Sequence, residues 1–348
     1  MNIEQGLSRR SFLTGAAGMG ALAAFGLAGC APKGAETASA ENGSSASSAN
    51  AAGQPGQNDW LGSAPEIAPE DIVETKSTEL LIVGAGNGGM AAAATAADLG
   101  VDFMRCEKTG SVQRTRHWFG AINTKYTEAA GAHVDERQLL NEFSRYASGQ
   151  CDQRVIRVWI RESAEATDWL DPILTSAGMT CAFDNDIDHA TGGTSFALFP
   201  MEHYYSGKDA AGESLERNKV LLAYINERGY DVTYNYKLVK LVQDDSGSVT
   251  GALFETSDGY VQVNSEKGVL LTTGGYTSNA EMLRACNPMV DRCVTLQYGS
   301  PNNVGEGIKA GIWAGGQKDS IGAPMIFDRG AVLPGQDAGI VLHRGVGH

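Results

Sequence analysis

Residues 79–108 read ELLIVGAGNGGMAAAATAADLGVDFMRCEK. The first five residues form a short β-branched apolar run, which is typical of a buried parallel strand. A glycine-rich turn comes next, followed by a helix of small residues over 90–99 and a second strand over 101–105 that leads to Glu107 and Lys108. This order of strand, glycine turn, helix and strand predicts the βαβ unit of a dinucleotide-binding fold.

The glycines of this turn fit the pattern GxGxxG at Gly84, Gly86 and Gly89. In that pattern the first glycine permits the tight turn, the second lets the backbone approach a pyrophosphate, and the third lets helix and strand pack closely. The helix N-terminus offers N–H groups and a positive dipole end to the anion. Glu107 lies 23 residues after Gly84 and can accept hydrogen bonds from ribose hydroxyls. The alternative is a glycine-rich turn without a ligand, and the unit alone does not distinguish FAD from NAD.

The rest of the chain adds a second set of strands. A helix over 213–228 ends at Gly229, and further strands are predicted over 231–235, 237–243, 249–255 and 260–264. Alternating strands joined by short turns indicate a small antiparallel meander. An apolar strand over 268–272 then leads to a second glycine turn, and 303–310 reads as a turn that opens a helix. The predicted fold class is α/β, a Rossmann-like parallel sheet with an antiparallel meander.

Composition and charge narrow the classes of partner. The chain has 348 residues with 41 acidic and 27 basic side chains, a net charge of −14. Such a balance disfavours nucleic acid, because phosphate binding needs a basic face. No Cys/His cluster has the spacing of a metal or haem site, so neither is predicted. Cys286 and Cys293 are either a disulfide or two buried thiols.

The N-terminal residues read as an export signal and a tether. Residues 1–29 carry Arg9-Arg10 before a mildly apolar stretch, the address for twin-arginine export of folded proteins. They end in Leu-Ala-Gly before Cys30, which resembles a bacterial lipobox and predicts lipidation of Cys30. The predicted location is therefore the outer face of the bacterial cytoplasmic membrane. Residues 30–58 are predicted to be a disordered tether, and 59–78 a lead-in segment.

Three spaced motifs resemble the flavoprotein subunits of the fumarate reductase and succinate dehydrogenase family, in its branch of soluble, exported flavin reductases. Besides the first glycine turn, they are TTGGY at 272–276, where the family has ATGGF, and GEGIKA at 305–310, where it has GDGIKMA. The resemblance covers residues 79–316. It implies FAD as the cofactor.

The resemblance also implies site residues. Gly84, Gly86, Gly88 and Gly89 would contact the pyrophosphate, Glu107 the ribose, and Val239 the adenine through its backbone. Glu306 takes the place of the family's usual Asp. Gly120, Ala121 and Asn123 fall where the family chain runs beside the flavin ring. The complete predicted cofactor-binding set is Gly84, Ala85, Gly86, Asn87, Gly88, Gly89, Glu107, Lys108, Gly120, Ala121, Asn123, Val239, Thr272, Thr273, Gly274, Gly275 and Glu306.

Three departures from the family pattern bear on function. Residues 113–117 read QRTRH where the family has a Gly-Gly-Asn/Ser motif, so Arg114 or Arg116 is either a diphosphate or substrate ligand or part of a solvated basic loop. In the succinate dehydrogenases, the histidine that attaches FAD covalently lies six residues before a Gly-Gly pair. His117 lies only three residues before Gly120, which indicates non-covalent FAD. Residues 322–327 read GAPMIF in place of the family's His-Pro-Thr, which indicates a substrate less charged than fumarate.

The predicted domain order follows from these assignments. The FAD-binding domain spans 79–320 with a helical insertion at about 130–228, and 321–348 is the beginning of a truncated capping domain. No catalytic acid is assigned. His133, His189 and His203 occur singly, as structural histidines do, and a helix over 152–169 is predicted to place its tryptophans in a core.

The function implied by the resemblance is reduction of an activated C=C bond in a small unsaturated organic acceptor. The electrons would come from a membrane-bound c-type cytochrome. Two alternatives remain open. One is a truncated flavin-binding lipoprotein without turnover. The other is a flavin oxidase or dehydrogenase of the aspartate-oxidase or ketosteroid-dehydrogenase type.

Overall fold

The computed structural model describes residues 60–114, 118–185, 197–287 and 301–318. The strands are β1 (Ile72–Thr78), β2 (Leu80–Val83), β3 (Phe103–Glu107), β4 (Trp118–Gly120), β5 (Thr180–Asp184), β6 (Glu202–Ser206), β7 (Thr233–Tyr234), β8 (Lys237–Gln243), β9 (Val249–Thr256), β10 (Gly259–Ser265) and β11 (Val269–Leu271). The helices are α1 (Asn87–Asp98), α2 (Lys125–Ala129), α3 (Glu136–Tyr146), α4 (Gln153–Ser176), α5 (Arg217–Asn226), α6 (Ala280–Cys286) and α7 (Glu306–Trp313). Over those ranges, no helix combines the length and apolar character that crossing a membrane requires.

A four-stranded parallel sheet carries the βαβ unit, in the order β11-β2-β3-β7. Strands β2 and β3 are buried on both faces, as expected for a parallel sheet covered on each side. On one face α1 and α5 pack through Ile82, Met90, Phe103 and Ile225. The other face packs against the second sheet. The predicted strand–helix–strand order is therefore the observed one.

The antiparallel meander differs from the prediction in one strand lost and one gained. The predicted strand over 231–235 is β7, which pairs with β3 in the parallel sheet, whereas β1 joins the second sheet. The second sheet has the order β1-β10-β9-β8, in which β8, β9 and β10 are antiparallel and β1 runs parallel to β10. Strand β1 lies in the segment predicted only as a lead-in, 59–78. Its sequence, IVETKST, is mostly polar and its side chains are mostly exposed. Hydrophobic periodicity therefore gives no strand signal at this sheet edge.

The segment predicted as a helical insertion, 130–228, contains strands as well as helices. Strands β5 and β6 lie within it and form a three-stranded antiparallel sheet with β4, in the order β4-β6-β5. His203 and Tyr205 of β6 point inwards and are buried, while their neighbours are more exposed. This alternation, EHYYS, is short and polar, so it was not predicted as a strand.

Helix α5 begins at Arg217, four residues later than predicted. Residues before it form a turn in which the Asp209 carboxylate accepts hydrogen bonds from the backbone N–H groups of Ala211 and Glu213, each at 2.9 Å. Short acidic side chains stabilise such turns by bonding nearby N–H groups, and this competes with helix formation. The helix therefore forms only after the turn is complete.

Helix α4 extends seven residues beyond the predicted range of 152–169. The extension carries the buried residues Ile173 and Leu174, which continue the apolar face. Trp159 and Trp169 pack against two apolar clusters, one under α3 and one under α1. Both tryptophans are thus partly buried at the edges of these cores.

Candidate functional site

A cavity of about 340 Å³ lies at the carboxyl ends of β2, β3 and β11, where parallel sheets bind their ligands. Most of the predicted cofactor-binding residues line it: Gly84, Ala85, Gly86, Asn87, Gly88, Glu107, Lys108, Thr272, Thr273, Gly274 and Glu306. These residues come from three sequence regions, the first of which lies more than 150 residues before the other two. The fold thus brings together the three motifs that the sequence singled out.

The three glycines of the first turn have different surroundings. At Gly84 the backbone φ is +113°, and an added Cβ would lie 2.5 Å from the carbonyl oxygen of Thr272. At Gly89 it would lie 2.1 Å from the carbonyl oxygen of Gly84. At Gly86, in contrast, a Cβ would meet nothing within 4 Å. Two glycines therefore permit packing within the protein, whereas the third leaves an open approach to the backbone.

The N-terminus of α1 faces this opening and is suited to an anion. Gly86 is its N-cap residue, and among the described residues no side chain caps the helix. The first turn carries no acidic side chain. The N-terminal N–H groups of a helix and its dipole favour negative charge. This end of α1 therefore offers donors to a phosphate.

Glu107 is held against the glycine turn by its own hydrogen bonds. Its Oε2 accepts from the backbone N–H of Ala85 at 2.7 Å, and its Oε1 accepts from the backbone N–H and hydroxyl of Thr109 at 3.0 and 2.8 Å. Only 5% of Glu107 is exposed. A carboxylate has about four acceptor positions, so acceptor capacity remains for a ribose hydroxyl. The ribose contact itself stays a prediction.

The second glycine turn packs on both the first turn and α7. The Thr272 hydroxyl donates to the Val83 carbonyl at 2.7 Å. A Cβ at Gly307, in the first turn of α7, would lie 2.0 Å from the Thr273 hydroxyl oxygen. At Gly274 φ is +74° and a Cβ would lie 2.8 Å from the Asn303 side chain. The second turn thus fixes the position of α7 at the cavity.

An ion pair joins two walls of the cavity. The Lys108 ammonium lies 2.6 Å from Oε1 of Glu306 and also donates to the Asn302 carbonyl at 2.5 Å. Lys108 follows β3, whereas Glu306 begins α7, so the pair links elements 198 residues apart. Both side chains are about one-fifth exposed. The sequence predicted both residues as cofactor-binding but not their pairing.

Cavity-lining residues outside the predicted set include Cys106, Gln113, Tyr236, Leu238, Asn302 and Asn303. Burial raises the pKa of Cys106 to about 12, so this thiol stays neutral and is no nucleophile. Tyr236 and Leu238 lie shortly before Val239 in the sequence. These residues lack a motif of their own. Cys106 and Leu238 are brought in by β3 and β8, and the others lie in the connecting segments around the cavity.

Arg114 also lines the cavity, and its guanidinium pairs with Glu216 at 2.8 Å. Its side chain is 82% exposed. Both interpretations of this loop therefore remain open, since the arginine is solvated and also borders the cavity. Arg116 and His117 lie outside the described residues.

Six predicted residues do not line the cavity. Gly89 packs beneath the turn, and the other five are Gly120, Ala121, Asn123, Val239 and Gly275. The Gly120 carbonyl accepts from the Trp159 indole at 3.1 Å, and Ala121 is buried. The Asn123 amide bonds both the N–H and the carbonyl of Val134, at 2.9 and 3.1 Å. These contacts hold the three residues in place, and their predicted position beside the flavin ring stays a prediction.

Val239 lies at a register shift between β8 and β9. Leu238 pairs with Phe254 and Lys240 with Leu253, so Val239 is the extra residue of a bulge. A bulge leaves its extra residue outside the ladder. The backbone of Val239 is therefore not paired with β9 at this position. Its predicted contact with adenine stays a prediction.

Arg105 is a buried cation that the sequence analysis missed. It is 0% exposed, and its Nε donates to the Gly84 carbonyl at 3.2 Å. Burial lowers the pKa of Arg105 to about 10, with the nearby Glu107 acting in the opposite direction. The available signal was an arginine inside an otherwise apolar strand, FMRC.

A second buried polar cluster lies away from the cavity. Asp171 accepts hydrogen bonds from the hydroxyls of Tyr126 and Tyr205 and from Lys125. Burial raises the pKa of Asp171, but the three hydrogen bonds together outweigh it, so the pKa lies below its ordinary value. Burial and the bond to Asp171 raise the pKa of both tyrosines. The cluster therefore holds a carboxylate between neutral hydroxyls.

His203 is buried in the same region with both ring nitrogens bonded. Its Nδ1 lies 3.0 Å from the Met201 carbonyl, which can only accept, so Nδ1 carries the proton. Its Nε2 then accepts from the Thr124 hydroxyl at 2.9 Å. Burial lowers the pKa of His203. It is a structural histidine, whereas His133 is exposed and His189 lies outside the described residues.

Comparison with known proteins identifies relatives of the chain. The FAD binding domain family matches residues 79–332. A vinyl phenol reductase of Lactiplantibacillus plantarum is 24% identical over 260 residues, which are 74% of this chain and 49% of that protein. A digoxin reductase of Eggerthella lenta is 27% identical over 336 residues, which are 88% of this chain and 54% of that protein. The chain thus spans about half the length of the curated relatives it matches.

The fold is also similar to a solved structure. The open conformation of a flavocytochrome c3 fumarate reductase matches with a TM-score of 0.56 at 22% identity, over 70% of this chain and 41% of that one. At this level of identity the similarity concerns the fold. The predicted fold class, a Rossmann-like α/β domain with a meander, is confirmed.

Proposed function

Because the chain belongs to the FAD binding domain family, we propose that it is an FAD-dependent reductase acting on an activated C=C bond of a small organic molecule. The observation that carries this proposal is the cavity in which both glycine turns, Glu107 and Glu306 meet. Its relatives named as vinyl phenol, digoxin and fumarate reductases support the reaction class.

The residues present fit FAD, the cofactor that the family confirms. The open backbone at Gly86 and the uncapped N-terminus of α1 match the diphosphate, and the buried carboxylate of Glu107 matches a ribose. Bound FAD supplies hydride transfer, chemistry that protein side chains lack. The described residues bind and orient the cofactor. The predicted non-covalent attachment forms part of the proposal.

The proposed acceptor is an unsaturated compound less charged than fumarate. The motif GAPMIF at 322–327, outside the described residues, replaces a histidine-containing motif of the fumarate enzymes. The names of the vinyl phenol and digoxin reductases favour an acceptor other than a dicarboxylate.

The proposed electron donor is a membrane-bound c-type cytochrome. Twin-arginine export and lipidation at Cys30 would place the protein beside such a donor, on the outer face of the bacterial cytoplasmic membrane. Both motifs lie outside the described residues, so export and lipidation are inferred from the sequence alone. Export of a folded protein suits one that receives its cofactor before crossing the membrane.

The test has two stages, both on the full purified chain. In the first, the protein is mixed with FAD and desalted, with FAD alone on the same column as the control. A retained visible flavin band is expected. In the second, oxidation of reduced viologen is followed with fumarate, a cinnamate-type monocarboxylate and an enone as acceptors. Acceptor-dependent oxidation, fastest with the less charged alkenes, is expected.

Other outcomes separate the alternatives. A colourless protein after desalting contradicts FAD binding by this chain. A retained flavin without any acceptor-dependent oxidation contradicts the reductase and favours a flavin-binding protein without turnover. Fast reoxidation of the reduced flavin by air, with formation of peroxide, would instead indicate an oxidase.

A further inference from the structure

Arg105 lies beneath the first glycine turn, on the sheet face covered by α1. It pairs in register with Ile82, and both Ile82 and Phe103 belong to the apolar cluster under that helix. Side chains two residues apart in a strand share a face, so Arg105 and Phe103 point the same way. The bond from Nε of Arg105 to the Gly84 carbonyl ties the guanidinium to the start of the turn.

Most of the hydrogen-bonding capacity of this guanidinium is unused. Within the part of the chain that the structure describes, neither Nη1 nor Nη2 of Arg105 has a hydrogen-bond partner. With a pKa of about 10 the group stays protonated at neutral pH. Burying a charge without partners is costly, and such groups in native structures call for an explanation.

The other basic side chains at the cavity are neutralised by carboxylates in direct contact. Lys108 pairs with Glu306, and Arg114 pairs with Glu216. Arg105, in contrast, has no hydrogen-bonded carboxylate among the described residues. Its nearest acidic neighbour, Glu107, directs its hydrogen bonds to Ala85 and Thr109. The charge of Arg105 therefore remains available to an anion at the turn.

We propose that Arg105 is a positioning residue for the diphosphate of the dinucleotide: it fixes the Gly84 carbonyl and adds positive charge beneath the turn that receives the anion. A buried charge is screened little by solvent and salt, so it acts through the thin layer of glycine backbone. The cost of its burial in the ligand-free protein is offset when a diphosphate binds. This inference rests on FAD binding and is independent of the proposed reduction.

The test compares Arg105→Met and Arg105→Lys with the wild-type full chain. Affinities for ADP and for adenosine, which lacks the diphosphate, are measured by calorimetry, together with the melting temperature of the ligand-free protein. Arg154→Met, at a 91% exposed arginine on α4, is the matched control for loss of one charge.

The expected result for Arg105→Met separates binding from stability. ADP affinity falls about tenfold, equivalent to about 1.4 kcal/mol, while adenosine affinity is unchanged. The melting temperature of the ligand-free protein stays level or rises, because an unpaired buried charge is replaced by an apolar side chain. Arg105→Lys, which keeps the charge, and Arg154→Met retain ADP affinity within about threefold of wild type.

Three results would overturn the proposal. The first is unchanged ADP affinity in Arg105→Met. The second is an equal loss of ADP and adenosine affinity with a lower melting temperature, which marks a purely structural residue. The third applies if Arg105→Met does not fold, in which case Arg105→Lys is the deciding variant. An equal loss of ADP and adenosine affinity in Arg105→Lys would then contradict a role at the diphosphate. If the wild-type chain binds no ADP, cofactor binding itself is contradicted. If the variants change ADP affinity as expected but the chain shows no viologen-driven turnover, only the proposed reductase activity is contradicted.

Discussion

Replacement of Gly86 by alanine should weaken cofactor binding at least about tenfold while leaving the fold intact. Gly86 has an extended backbone, φ −85° and ψ −168°, which alanine adopts without strain. A Cβ there meets no protein atom within 4 Å. The added methyl group therefore projects into the space that a diphosphate would occupy. Gly89→Ala is the opposite case, because its Cβ would lie 2.1 Å from a backbone oxygen and 2.7 Å from the Thr272 hydroxyl.

The magnitudes separate the two variants clearly. Gly86 is an N-cap residue, and alanine at this position costs about 0.5–1 kcal/mol of unfolding free energy, or about 1–4 °C in melting temperature. Overpacking against backbone atoms at Gly89 costs about 1–3 kcal/mol or more. For binding, we expect FAD affinity to fall at least about tenfold in Gly86→Ala, equivalent to about 1.4 kcal/mol.

The assay combines FAD titration with thermal melting of the ligand-free chain. Gly110→Ala is the control, since this glycine also faces open space but does not line the cavity. Gly86→Ala should melt near wild type and lose the flavin band on desalting, whereas Gly89→Ala should melt lower. The reasoning is refuted if Gly86→Ala binds FAD as tightly as wild type. It is equally refuted if this variant loses as much stability as Gly89→Ala.

Three further predictions concern the surrounding structure. Glu306→Gln removes the ion pair with Lys108 and should cost about 1.5–3 kcal/mol in chemical denaturation, because the pair is mostly buried and the Lys108 ammonium loses a charged acceptor. Asp171→Asn should cost about 2–3 kcal/mol, because two buried hydroxyls and Lys125 lose a charged acceptor. It should also flatten the loss of stability as pH falls below about 4, since the lowered pKa of Asp171 gives stability that is present above its unfolded pKa and lost on protonation. Burial lowers the pKa of His203, so that as the pH falls the imidazole is protonated in the unfolded chain before it is protonated in the folded one. The unfolding free energy should therefore fall from pH 7 to 5, and it should fall less in His203→Gln.

The parts of the site that the sequence predicted are those governed by local sequence order. The first glycine turn, the flanking strands β2 and β3, and the second turn at Thr272 each have a short motif tied to backbone geometry. Strand β1 was missed because it is a polar edge strand, and the β4-β6-β5 sheet because its strands are short.

Features that depend on distant contacts were beyond the sequence analysis. The pairing of Lys108 with Glu306 spans 198 residues and exists only once α7 packs beside β3. The orphaned guanidinium of Arg105 results from the surrounding apolar cluster, which no local pattern displays. Gly120 and Asn123 were predicted at the flavin ring from the resemblance alone, and their bonds to Trp159 and Val134 depend on packing that the sequence does not display.

The strand order of the parallel sheet also constrains when the cofactor can enter during synthesis. The edge of β2 is covered by β11, whose first paired residue, Val269, is made 188 residues after its partner Leu81. At 5–20 residues per second, this interval lasts roughly 10–40 s. During that time the nascent chain has the first glycine turn but neither Thr272 nor Glu306. FAD can therefore meet its complete set of contacts only after Glu306 has been synthesised and α7 has packed beside the second turn.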